Sequence, residues 1–165
     1  MKKIILHWSA GGYLPSIYDL EHYHYLVDNV GGIHRGKYPV ESNEICKLNR
    51  YAAHTGGGNT GAIGVSMCAM AGFLNKNNVG KYPITKKQFE ATMELIASLS
   101  LKYNIKITPN TVLTHYEFGL KNPKTSSAGK IDIVYLPPYD WLLPNEIGGF
   151  IRAKIKWYLL KIKGD

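Results

Sequence analysis

Apolar residues fall into two kinds of run along this chain. Residues 3–8 and 62–71 are apolar on both faces, as inner strands of a covered sheet are, and Thr111-Val112-Leu113 is a shorter run of the same type. Elsewhere the apolar positions recur at helical spacing. Phe89, Met93, Ile96 and Tyr103 make one stripe within residues 83–103, where Thr85 and Gln88 form a capping box and Asn104 can end the helix in the left-handed conformation. Ile147, Ile151, Ile155, Tyr158, Leu159 and Ile162 make a second stripe within residues 147–163, with Arg152, Lys154, Lys156, Lys161 and Lys163 off it.

The remaining elements are shorter. Ser16 can cap a helix over residues 17–22, with Asp19 favourably placed near its positive end. Leu26-Val27 and Ile33-His34-Arg35 flank Asp28-Asn29-Val30-Gly31-Gly32, which reads as a hairpin turn. Residues 36–61 are rich in loop formers, with a short helix expected over 42–53 and a polar, Gly-rich stretch from His54 to Asn59 suited to lining a groove. Pro137, Pro138 and Pro144 mark irregular chain. The pattern predicts one α/β domain over residues 1–165, a mixed central sheet covered by helices, with 147–163 as a C-terminal basic amphipathic helix.

Composition changes this picture little. No apolar run approaches the roughly 18 residues of a membrane span, and Lys2-Lys3 followed by Ile4-Ile5-Leu6 stops too early for a secretory leader. Export is therefore expected to need another protein. Cys46 and Cys68 lack metal-type spacing and read as reduced thiols, Cys68 as a small core residue. The net charge of +8 favours an anionic partner. Its lysines are scattered and no aromatic-Arg motif accompanies them, which argues against nucleic acid.

The chemistry gathers at strand ends. His7 follows Ile4-Ile5-Leu6, His115 follows Val112-Leu113-Thr114, and Asp132 comes after a polar loop holding Asn122-Pro123, Ser126-Ser127 and Gly129. Two neutral imidazoles and a carboxylate that leave a fourth position to water are the donor set of a catalytic zinc site. Glu117, near His115, is a candidate for proton transfer. His34 reads as an exposed or groove histidine, His22 as a helix C-terminal one, and His24 as facing away from Tyr23.

The segments HWSA, YHYLVD, AAHT, NTGAIGVSM, THYE and GKIDI, in this order, resemble the zinc-dependent N-acetylmuramoyl-L-alanine amidases, whose fold is shared by amidase-type phage lysozymes and peptidoglycan-recognition proteins. The resemblance implies an amidase/peptidoglycan-recognition-protein-like fold and Zn2+ held by His7, His115 and Asp132. It places Lys130 toward the developing oxyanion, Tyr23 beside the metal, and His54 and Asn59 in the substrate groove. One departure stands out: where many members carry a glutamate that serves the water, this chain has Ser66.

The expected activity is cleavage of the amide between N-acetylmuramic acid and L-alanine in peptidoglycan, by a monomer acting as a phage or prophage endolysin released with assistance. The alternatives are a cytoplasmic enzyme recycling muropeptides and a peptidoglycan-binding module without catalysis. The basic C-terminal helix, with Trp157, either packs on the sheet with its lysines simply solvated or offers a surface for anionic outer-membrane lipid, as interfacial helices do.

Overall fold

Residues Lys3–Trp8 form strand β1, and the computed structural model, which describes residues 1–164, builds the molecule around it. Ala62–Met67 (β4) and Val112–Thr114 (β5) lie parallel on its two sides. Tyr25–Val27 (β2) pairs parallel to β4, and Ile33–Arg35 (β3) closes the edge antiparallel to β2, giving the order β3-β2-β4-β1-β5. The mixed α/β sheet is the one the sequence predicts.

Strand alternation divides the side chains between two cores. Ile4, Leu6 and Trp8 of β1, with Ile63, Val65 and Met67 of β4, enter the larger core under helices α2 (Lys86–Lys102) and α4 (Pro144–Lys163). Ile5, Ala62 and Leu113 face the other way, against Phe118 of helix α3 (His115–Lys121). His7 and Ser66 continue that second face at the C-terminal ends of β1 and β4, where they are register partners. Ligand crevices of parallel sheets form at such strand ends.

The helix ends follow from local chemistry. Ser16 caps α1 (Ile17–His22) and Thr85 caps α2, each through a reciprocal capping box, and Asn104 takes φ 52° after α2. Gln88 also donates from Nε2 to the carbonyls of Val27 and Cys68, which ties the start of α2 to two strand ends.

Several boundaries differ from expectation. The helix expected over 42–53 is a single 3-10 turn, Val40–Asn43, because Cys46, Leu48 and Asn49 all adopt positive φ and cannot propagate a right-handed helix. β4 ends at Met67, four residues short of the predicted strand, and Met70 turns the chain at φ 74°. The segment after Thr114 is a helix where a strand end was expected. α4 starts three residues early, with Pro144 in its first turn.

The C-terminal helix is part of the core. Ile147, Ile151 and Ile155 are buried, while Ile162 is 41% exposed and falls off the predicted stripe at the helix end. Arg152 and Lys154 also leave the expected basic face: Arg152 grips Glu117, and Lys154 pairs with Glu90 at 2.8 Å. What remains there is Lys156, Lys161 and Lys163 around a half-exposed Trp157. Among the described residues, no helix is long and apolar enough to cross a membrane.

Candidate metal centre

β1 presents His7 inward on the second sheet face, where it is fully buried. β5 ends at Thr114, whose side chain caps α3, so His115 becomes the first residue of that helix. Asp132 arrives from the loop that follows α3, held by a hydrogen bond from the Tyr116 amide to its carbonyl at 2.7 Å. Nδ1 of His7 lies 2.9 Å and Nδ1 of His115 3.1 Å from the same carboxylate oxygen, Asp132 Oδ2. One donor atom from each residue lies within 4.8 Å of the others.

This donor set fits a zinc ion. Burial lowers the pKa of His7 more than the Asp132 contact raises it, so its imidazole is neutral at pH 7. Burial pushes the Asp132 carboxyl up, yet the close contacts with His115 and His7 outweigh it and hold the group below its ordinary value. A neutral ring and an ionised carboxylate are the protonation states that coordination requires.

His115 and Asp132 line a cleft of about 720 Å³, with His7 fully buried beside them, and Tyr18, His22, Tyr23 and Lys130 also line it. The Tyr23 ring lies 5.1 Å from that of His7. Burial, followed by the charges of Asp132 and Asp19, raises its phenol above the ordinary value, so the hydroxyl keeps its proton. Lys130 is exposed on the cleft wall, close enough for its charge to act on His7.

The profile of the N-acetylmuramoyl-L-alanine amidase family matches residues 1–130. The chain belongs to this family. Among solved structures, the N-acetylmuramyl-L-alanine amidase AmiD from E. coli, in complex with the substrate anhydro-N-acetylmuramic acid-L-Ala-D-gamma-Glu-L-Lys, is similar at a TM-score of 0.51 and 22% identity. That likeness covers 70% of this chain and 48% of AmiD, so the chain spans about half of AmiD's length. Bumblebee PGRP-SA is similar at a TM-score of 0.50 and 14% identity, over 87% of this chain and 83% of that protein. At such identities the likeness is one of fold. No curated protein sequence matches significantly.

In this amidase-family chain the other predicted site residues divide. Asn59 lines the cleft, but its side chain also accepts from the Thr55 amide at 2.7 Å, bracing the loop. His54 reaches the cleft while being buried behind His7, its Nδ1 3.3 Å from His7 Nε2. Gly64 of β4 makes room for it, since a methyl group there would overlap the His54 ring. Glu117 lies outside the cleft, with its carboxylate taken up by Arg152 and the Thr114 amide. Ser66 is fully buried at the end of β4, beside His7 and the Tyr23 phenol.

Sequence reasoning passed over several contributors. Thr55 and Ser127 both touch the candidate ligands, and the stacked Tyr18–His22 pair, with centroids 3.9 Å apart, forms one cleft rim. Only the i, i+4 spacing of Tyr18 and His22 was a local signal. His34, expected at the surface or in a groove, is half-buried and bonds to Asp28 at 2.8 Å.

His24 supports the site from below. It donates from Nε2 to Asn43 at 3.0 Å and accepts the Gly64 amide at Nδ1, its ring 5.6 Å from that of His54. Burial, against the Asn43 bond, pushes its pKa down to about 4. The unfolded chain therefore binds a proton near pH 6.5 that the folded chain refuses until about pH 4. Stability is fully present above that window and falls through it, by roughly 3 kcal/mol for this residue. Urea denaturation of chelated protein at pH 7 and pH 4 should show the drop, and His24→Gln should reduce it. An equal drop in the variant would remove His24 as its source.

Proposed function

We propose that this protein is a zinc-dependent hydrolase of the amide between N-acetylmuramic acid and L-alanine in peptidoglycan. The observation that carries the reading is the convergence of His7, His115 and Asp132 on one point beside an open cleft that His115 and Asp132 line, in a chain of this amidase family. Bound there, zinc supplies Lewis acidity, polarising the scissile carbonyl and making water nucleophilic near neutral pH.

The chain's own residues supply the rest. The Lys130 ammonium, two residues from Asp132 on the cleft wall, balances negative charge as it develops on the carbonyl oxygen. Tyr23 keeps its proton and stands against His7, so it is placed to donate to the departing amine of L-alanine. Tyr18 and His22 offer a flat rim against which the muropeptide rests.

Digestion of purified peptidoglycan tests the reading. Products should carry new L-alanine amino termini and no new reducing sugar ends. New reducing ends would make the protein a glycosidase, and retained wall with neither product would favour a binding module. Lys130→Ala and Tyr23→Phe should each lower kcat by about 10²-fold or more with little change in KM. A loss confined to KM would assign them to substrate binding.

A further inference from the structure

Each candidate zinc-binding histidine has a second nitrogen, and both of these nitrogens meet a hydrogen-bond chain that ends on a backbone carbonyl. Behind His115, Nε2 lies 2.9 Å from Ser127 Oγ, and Ser127 donates its one hydroxyl proton to the carbonyl of Gly56 at 2.7 Å. With that proton committed, Ser127 can only accept, so the hydrogen between them belongs to His115 Nε2. Behind His7 the chain is longer. His54 Nε2 faces the carbonyl of Ala62 at 3.4 Å, so it carries the proton and leaves His54 Nδ1 bare. Thr55 Oγ1, at 2.7 Å, donates to that bare nitrogen. His7 Nε2 lies 3.3 Å from His54 Nδ1, whose one lone pair is filled by Thr55. It also lies 3.3 Å from Thr55 Oγ1, whose proton is committed and whose oxygen can only accept, so His7 Nε2 is the donor.

We infer that Ser127, and His54 together with Thr55, are positioning residues that fix both imidazoles in the form with the proton on Nε2. In that form the lone pairs on Nδ1 point at the place that Asp132 Oδ2 also faces. The two chains share no residue and reach the same outcome. Chains of this kind orient metal-ligating histidines and set their tautomer. His54 thus acts through His7, and the Gly64 that leaves space for its ring belongs to the same device. Thr55 and Ser127 are fully buried, as such a role requires.

The inference rests on the zinc reading of His7, His115 and Asp132, and the experiment separates the two. Zinc affinity of the native protein is measured by competition with a chromophoric chelator. Long-range proton–nitrogen NMR of the zinc-loaded protein then locates the ring protons. The native protein should bind zinc and show protonated Nε2 on both His7 and His115. Ser127→Ala should weaken zinc binding by about 10- to 100-fold and disturb the signals of His115 alone, while His54→Gln and Thr55→Val should do so for His7 alone. Ser127→Thr, which keeps the hydroxyl, should restore affinity.

The native spectrum needs no variant, so it decides the tautomers even if a substitution impairs folding. Tight zinc binding with the proton on Nδ1, or with affinities unchanged in all three variants, would overturn the inference and leave the zinc reading intact. A native protein that binds no zinc would overturn both.

Discussion

Asp132→Ala should reduce peptidoglycan hydrolysis to the level of the buffer blank. Asp132 Oδ2 is the atom on which both imidazoles converge, and it brings the only negative charge in the trio. Without it a divalent cation meets two imidazoles and no carboxylate, and loses most of its attraction. The loss should be visible without any substrate. At a zinc concentration about 1,000-fold above Kd, binding adds about 4 kcal/mol to stability, or roughly 8–16 °C in Tm for a chain of this size. The native protein should show that rise on zinc addition and Asp132→Ala should not. A variant that melts higher with zinc, as the native protein does, would place the metal elsewhere.

The second large effect is on stability. Glu117→Ala should cost about 3 kcal/mol and lower Tm by about 6–12 °C. The Glu117 carboxylate accepts both arms of Arg152 at 3.0 Å and closes the capping box of α3 through the Thr114 amide. Arg152 also donates to the carbonyl of Val112, so three elements meet at this pair. Gly148 of α4 lets the helices approach, because a methyl group there would overlap the Glu117 carboxylate. Removing Glu117 leaves a half-buried guanidinium unpaired and frees the start of the helix that presents His115. Calorimetry measures the first effect, and activity at a temperature where the variant is folded measures the second. A variant with native Tm and strongly reduced kcat would return Glu117 to proton transfer.

How much of this was legible in the sequence depends on the range of the physics involved. The apolar run of β1, the capping box at Thr85 and Gln88, the hairpin at Asp28–Gly32 and the turn at Asn104 are written in neighbouring residues, and all were read correctly. His7 and His115 were readable because each directly follows an apolar strand pattern. Helix α3 carries its own signature, since Thr114-His115-Tyr116-Glu117 is a capping box, but the apolar strand pattern directly before it masks that signal.

Other features had no local signature. The pairing of Glu117 with Arg152 spans 35 residues, and it removes from the cleft a carboxylate that proximity to His115 had made a candidate base. The positive φ of Cys46, Leu48 and Asn49 defeats a helical reading, because none of these residue types demands that conformation. His54 looked like a groove residue because Gly-rich chain follows it. Its burial is decided by the absence of a side chain at Gly64, on a strand that sequence alone does not place beneath it.

The central claim is that hydrolysis depends on a metal held by His7, His115 and Asp132. The most direct measurement is the release of L-alanine amino termini from purified peptidoglycan by chelator-treated protein, before and after zinc is restored. No release before, and full recovery at one zinc per chain, is the expected result. Undiminished release by the metal-free protein, or none from a protein carrying its zinc and still bound to the wall, would contradict it.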